Sequence, residues 1–200
     1  MRTHTEQKNV RGFTTIWHVK DGKREKAASR PNSIQIPWGF IAAKCIGHGD
    51  SKYKVSKMYI EYENVADPED VATIPTFDTD EDITYYNNLS LSATKDYLRV
   101  PLLILPTIGI ATGYEDNFVE GETGNKLTFY TQSQGTTGTH GKAFSAAANS
   151  KVYGLALIAS PTNDPADDIV FARTYYEEDE QVLKRASDQV GVTWDISFLL

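Results

Sequence analysis

The sequence predicts a mainly β fold, an antiparallel β-sandwich or jelly roll of about eight strands with one short helix near residues 36–46. Three observations predict it. The aromatic residues are mostly tyrosine, eleven against eight Phe and three Trp, and tyrosine favours strands because its ring packs on a pleated face while its hydroxyl finds a polar partner. Short runs rich in β-branched and aromatic residues recur along the chain, each bounded by Gly, Pro, Asn or Asp. Neither an internal repeat nor a coiled-coil heptad is present. An α+β arrangement of the same elements is the alternative.

The elements follow in order. Residues 1–12 are polar and read as an N-terminal arm, with a single β-rich domain over 13–200. Phe13 to Lys20 reads as a strand, and Asp21-Gly22 is the favoured pair for a two-residue type I′ turn into a weak, polar return strand, Lys23 to Ser29. Ile36 to Ile46 carries apolar residues at helical spacing, with Pro37 suited to a first turn and Gly47 to a stop. In Tyr53 to Asn64, Tyr53, Val55, Lys57, Tyr59 and Glu61 alternate with Lys54, Ser56, Met58, Ile60 and Tyr62, the pattern of a strand with one buried face.

Residues 65–96 form a long acidic connection with a short strand near Ile83 to Tyr86. Tyr97 to Leu105 is an apolar strand in which Pro101 and Pro106 imply a bulge, an edge or an exit. Lys126 to Gln132, Val152 to Ala159, Ile169 to Tyr176 and Val192 to Leu199 complete the strands. Val152, Leu155, Leu157, Val170, Phe171, Val192, Trp194, Ile196 and Phe198 are the predicted core. Gln181 to Ser187 reads as one helical turn or an extended link. The Gly-, Ser- and Thr-rich stretch 133–150 reads either as a plain loop or as backbone that passes close to another surface, with few contacts inside its own subunit.

Two hundred residues fit one large β domain, and a 40% hydrophobic fraction is enough to build its interior. Cys45 is the single cysteine, so no intramolecular disulfide supports the fold. The first ten residues lack an apolar signal-peptide core, and the longest apolar run, Val100 to Thr112, is too short to span a bilayer. The expectation is therefore no membrane partner. A net charge of −7 disfavours specific nucleic-acid binding. That mean hides a division: residues 1–57 carry +8 and residues 58–200 carry −15. Such a division is read either as surface charge falling unevenly or as a basic segment of one copy meeting an acidic face of the next. Lys52, Lys54 and Lys57 are the candidate interface residues on the basic side.

No constellation for catalysis, cofactor or metal stands out. Gly49-Asp50-Ser51 lacks the flanking glycines of a nucleophile elbow, and Ser92-x-x-Lys95 has no companion Lys-Thr-Gly. Asp78, Asp80 and Asp82 open like a calcium loop, but Ile83 stands where glycine is required and Leu89 where a bidentate glutamate belongs. His4, His18, His48 and His140 are scattered with no zinc spacing. No catalytic, cofactor-binding or metal residue is assigned, and a non-enzymatic protein without cofactors is expected.

Ser51 to Asn64, the stretch from Tyr85-Tyr86 to Asp96-Tyr97-Leu98-Arg99-Val100-Pro101, and Asp168 to Phe198 resemble tailed-bacteriophage virion proteins of the tail, neck or capsid-associated type. The resemblance covers about two thirds of the chain and transfers no catalytic residue. It implies a β-rich homo-oligomeric building block, made in the host cytoplasm and placed in the virion, that packs against copies of itself and other particle proteins. A carbohydrate- or receptor-binding β-sandwich is the alternative, with Trp17, Trp38 and Trp194 as a stacking platform. A hydrolase built on an acid pair is the third reading.

Overall fold

The computed structural model describes residues 10–34, 43–47, 49–75, 82–103, 107–111, 124–133, 135–144, 149–162, 164–186 and 188–199. Asp21 and Gly22 both take positive φ, 50° and 73°, as a type I′ turn demands. Val10–Lys20 (β1) therefore folds straight back onto Lys23–Ile34 (β2), from Lys20 against Lys23 to Gly12 against Asn32, with a one-residue shift where Trp17 opposes Lys26 and Ile16 opposes Ala28. The strand reaches back to Val10, into the last residues of the expected arm.

The remaining strands are Val55–Val65 (β3), Lys95–Pro101 (β4), Thr107–Ala111 (β5), Gly124–Gln132 (β6), Asn149–Ala159 (β7), Ile169–Tyr175 (β8), Val182–Lys184 (β9) and Gln189–Leu199 (β10). All pairings among the described residues are antiparallel. One layer runs β2-β1-β10-β6-β5 and the other β8-β7-β3-β4, with β9 laid against the start of β7. The far end of β2 joins them, pairing Ser33 and Ile34 with Arg173 and Ala172 of β8. At the opposite corner the chain leaves β4 at Pro101, and Leu103 N–H donates to the Tyr130 carbonyl of β6 at 3.1 Å. Pro101 thus marks an exit, as its missing N–H requires.

Between the layers, Ile16, Val192, Trp194 and Ile196 of one sheet meet Met58, Ile60, Leu155, Leu157 and Phe171 of the other. The predicted core is therefore buried, with Phe198's side chain outside the described residues. Trp194 is completely buried, at the centre of this interior.

One expectation is corrected, and one open alternative is decided in favour of the extended link. The acidic connection holds not a strand at Ile83 to Tyr86 but a helix, Asp82–Leu89 (α1). Leu89 lies one helical turn on from Tyr85 and Tyr86, and the three pack on Tyr59, Tyr97, Ile158 and Val170, so burial on one stripe chose the 3.6-residue period. Gln181 to Ser187 contains a strand, β9, because its backbone pairs with Ser150 to Val152. Of the expected helix at 36–46, Ala43–Gly47 forms a single π turn and residues 35–42 lie outside the described residues. Among the described residues no helix is long and apolar enough to cross a membrane.

Candidate functional site

The alternation in β3 is real, but both of its faces are buried. Met58, Ile60 and Tyr62 point into the sandwich, while Tyr59 and Glu61 point the other way, under α1. A charged residue at the centre of a covered strand must find partners, since an unpaired buried carboxylate costs several kcal/mol. Glu61, wholly buried, accepts from Tyr86 at 2.6 Å and from Tyr85 at 2.9 Å. The Tyr85 and Tyr153 hydroxyls are 2.9 Å apart, and the Arg173 guanidinium lies against the Tyr85 and Tyr86 rings. Burial pushes the Glu61 carboxyl above the usual glutamate range, while Arg173 and the tyrosine hydroxyls oppose that push.

A β-bulge aims this cluster. Glu61 opposes Gly154 and Tyr62 opposes Val152, leaving Tyr153 as an extra residue in β7. Val152 and Leu155 can then both face the interior, while Tyr153 and Gly154 share the outer side. A side chain at Gly154 would strike the Tyr175 ring and Glu61 Oε2, so glycine is what lets the carboxylate sit there.

Asp168 forms a second cluster on the same outer face. Arg99 grips it bidentately, Nε to Oδ2 at 2.7 Å and Nη2 to Oδ1 at 2.9 Å, and the Tyr59 hydroxyl donates to Oδ2. Burial works against its charge, yet the hydrogen bonds from Arg99, Ser160 and Tyr59 win and hold the carboxyl below the usual aspartate range. Lys57 reaches the same group, donating to Ser160 Oγ at 3.0 Å. Partial burial and the nearby Arg99 lower its pKa.

The third buried carboxylate, Asp96 on β4, organises part of the glycine-rich stretch. It accepts from the backbone N–H of His140 at 2.9 Å and of Lys142 at 3.1 Å, and from that of Tyr97 at 2.7 Å. Gly141 supplies a left-handed turn at φ 84°, and Gly138 passes so close to Asp96 and Tyr62 that any Cβ would collide. Thr139 N–H donates to the Tyr97 carbonyl at 2.7 Å, covering part of the outer edge of β4. Phe144 is buried in the interior. The expectation that 133–150 makes few contacts in its own subunit is therefore corrected over 135–144: this backbone does pass close to another surface, and that surface is its own sheet.

Sequence reasoning did not single out Glu61, Asp96, Asp168, Arg99 or Arg173. The available signal was a charge in the middle of an apolar strand run, as in Met58-Tyr59-Ile60-Glu61-Tyr62 and Ile169-Val170-Phe171-Ala172-Arg173. Each buried carboxylate is closed over by donors from its own chain and fastens an element: α1 at Glu61, the 135–144 turn at Asp96, and the connection before β8 at Asp168. Among the described residues no group of three or more His, Cys, Asp or Glu is arranged to hold a metal ion. Asp82 begins α1, whereas Asp78 and Asp80 lie outside the described residues.

The candidate interface lysines divide. Lys52 and Lys54 are exposed beside the 3-10 turn Ser51–Tyr53, and Lys57 is turned inward onto Ser160. Of the tryptophans, Trp194 is in the core, Trp17 is half-buried and donates to Thr193 Oγ1 at 2.9 Å, and Trp38 lies outside the described residues. The exposed charge is divided along the chain, with Arg185 an exposed cation in the second half. Lys20, Lys23, Arg24, Lys52 and Lys54 are exposed in the first part of the chain, with Asp21 and Glu25 among them. Asp67, Glu69, Asp70, Asp164, Asp167, Glu177, Glu178 and Asp179 are exposed on the later turns. Comparison of the chain with family models, with curated proteins and with solved structures gives no match.

Proposed function

We propose that this chain is a non-enzymatic assembly subunit that packs against copies of itself, and, on the resemblance of its Ser51–Asn64, Tyr85–Pro101 and Asp168–Phe198 segments to phage virion proteins, a building block of a phage particle. One observation carries the assembly reading: exposed cations cluster on the β1–β2 hairpin and around Lys52 and Lys54, while exposed carboxylates occupy the turns of the second half. Opposite charges carried by different parts of one chain favour head-to-tail contacts, which close into rings when the rotation permits. The buried carboxylates support the same reading, because each is spent on fastening the subunit. A rigid subunit loses little freedom when it associates.

The experiment is sedimentation of the purified chain over a wide concentration range at low salt. A mass that rises to a multiple of 22.3 kDa is expected. A monomer at every concentration would sink the self-assembly reading. The particle assignment has its own test: antibody raised against the chain should label intact phage particles of its host, and labelling confined to host cytoplasm would remove that assignment.

A further inference from the structure

Beside the turn of the β1–β2 hairpin is an open cleft of about 670 Å³, within the range of roughly 300–1,000 Å³ typical of ligand sites. Lys20, Lys23, Arg24 and Arg185 line it with His18, and Leu183 gives it an apolar patch. Asp21, Glu25 and Asp188 also line it, so full cations outnumber carboxylates by four to three. The frame is stiff: the hairpin register is fixed by the type I′ turn, and the Arg24 guanidinium lies 4.2 Å over the Tyr130 ring. The cations come from both hairpin strands and from the β9–β10 connection, a spread that suits a segment with more than one carboxylate better than a single small anion.

The same chain displays such a segment. Glu177-Glu178-Asp179-Glu180 forms a 3-10 turn closed by a reciprocal capping box between Glu177 and Glu180. Arg30 holds its two ends, at 3.7 Å from Glu177 and 3.1 Å from Glu180. Glu178 and Asp179, between those ends, are exposed and have no ion-pair partner among the described residues. Arg30 sits across from Thr14, near the middle of the hairpin, while Lys20 and Lys23 sit at its tip. Six strand residues at about 3.3 Å each separate the two levels, close to 20 Å. Among the described residues no ion pair joins the turn to the cleft of its own chain.

We infer that the hairpin cleft receives the Glu178–Asp179 turn of a second copy of this chain, head to tail. This rests on the assembly reading and names the contact that carries it. Because the cleft and the turn are different surfaces of one molecule, the contact is heterologous and extends to a third copy.

Two variants test it: K20E/K23E, which makes cleft and turn both acidic, and E178K/D179K, which makes both basic. All four positions are exposed, and matching thermal midpoints would establish that the variants fold. In low-salt sedimentation each variant alone should associate at least tenfold more weakly than the parent chain. An equimolar mixture should recover assembly, because the acidic cleft of one then takes the basic turn of the other, and the reverse contact is also matched. Either variant assembling alone like the parent chain would overturn the inference. So would a mixture that stays dissociated. A parent chain that is itself monomeric would overturn the assembly reading as well, whereas assembly insensitive to both variants removes only this contact.

Discussion

Tyr86 on α1 donates its hydroxyl to Glu61 Oε1 at 2.6 Å, fastening the helix to β3 through a carboxylate that no water reaches. The helix has eight residues, too few to persist alone in water. Its stability comes from Tyr85, Tyr86 and Leu89 packing on the sheet and from this bond. Tyr86→Phe keeps the ring and removes the donor, and a hydrogen bond to a charged group contributes about 1.5–3 kcal/mol. A urea titration should show a loss in that range. No loss would mean that Glu61 is satisfied without α1.

Gly154 makes a second test of the same cluster. Gly154→Ala places a methyl group against the Tyr175 ring and Glu61 Oε2, so that the ring or the carboxylate must shift. Overpacking of this kind costs about 1–3 kcal/mol, while alanine in a strand is otherwise no worse than glycine. Destabilisation in denaturant is expected; a neutral or more stable variant would show that the outer face is looser than the bulge implies.

The turn chemistry and the inner faces were legible in the sequence, and the outer face was not. Asp21-Gly22 predicts its turn because only a few residue pairs tolerate two positive φ values. The apolar periods of β7, β8 and β10 predict the core because burial demands them. Glu61 was hidden because a charged residue in a strand normally marks a solvent face, and Asp168 because it closes an acidic turn before β8; only the distant α1 and Arg99 reverse those readings. Residues 135–144 read as a loop because small residues carry no period. Their order comes from Asp96, about forty residues earlier in the chain, collecting backbone N–H groups.

Asp96 therefore predicts a pattern of amide protection. In the isolated subunit the His140 and Lys142 amides should exchange slowly despite lying in a turn, because both donate to a buried carboxylate. Asp96→Ala should release them together. Fast exchange of both amides in the parent subunit would return 135–144 to the status of a plain loop.

Acid stability follows from Asp168. Its folded pKa is below the ordinary aspartate value of about 3.9, held there against burial by Arg99, Ser160 and Tyr59. A depressed carboxyl contributes stability that is fully present above the unfolded pKa and is lost as pH falls through the folded one. The parent chain should lose this contribution below about pH 4. Asp168→Asn should be less stable at neutral pH, since Arg99 is left without its counter-charge, and its stability should fall less steeply in acid. Parallel acid limbs for the two chains would show that Asp168 does not titrate as its partners require.

The candidate interface lysines should separate into two classes. Lys52 and Lys54 project into solvent, where charge substitutions usually change stability by no more than about 0.5 kcal/mol. Lys57 donates to Ser160 Oγ, and that hydroxyl also accepts from Arg99 Nη2 at 2.8 Å. A glutamate at position 57 would bring a second negative charge beside Asp168 and compete for the same guanidinium. K52E and K54E should therefore leave the urea midpoint near that of the parent chain, while K57E lowers it. Their effect on association is a separate readout. If Lys52 and Lys54 belong to a salt-sensitive contact, K52E/K54E should weaken assembly at 0.1 M salt, where the screening length is about 10 Å, and change little at 1 M, where it is about 3 Å. Weakening that persists unchanged at high salt would place apolar burial, rather than these two charges, at the contact.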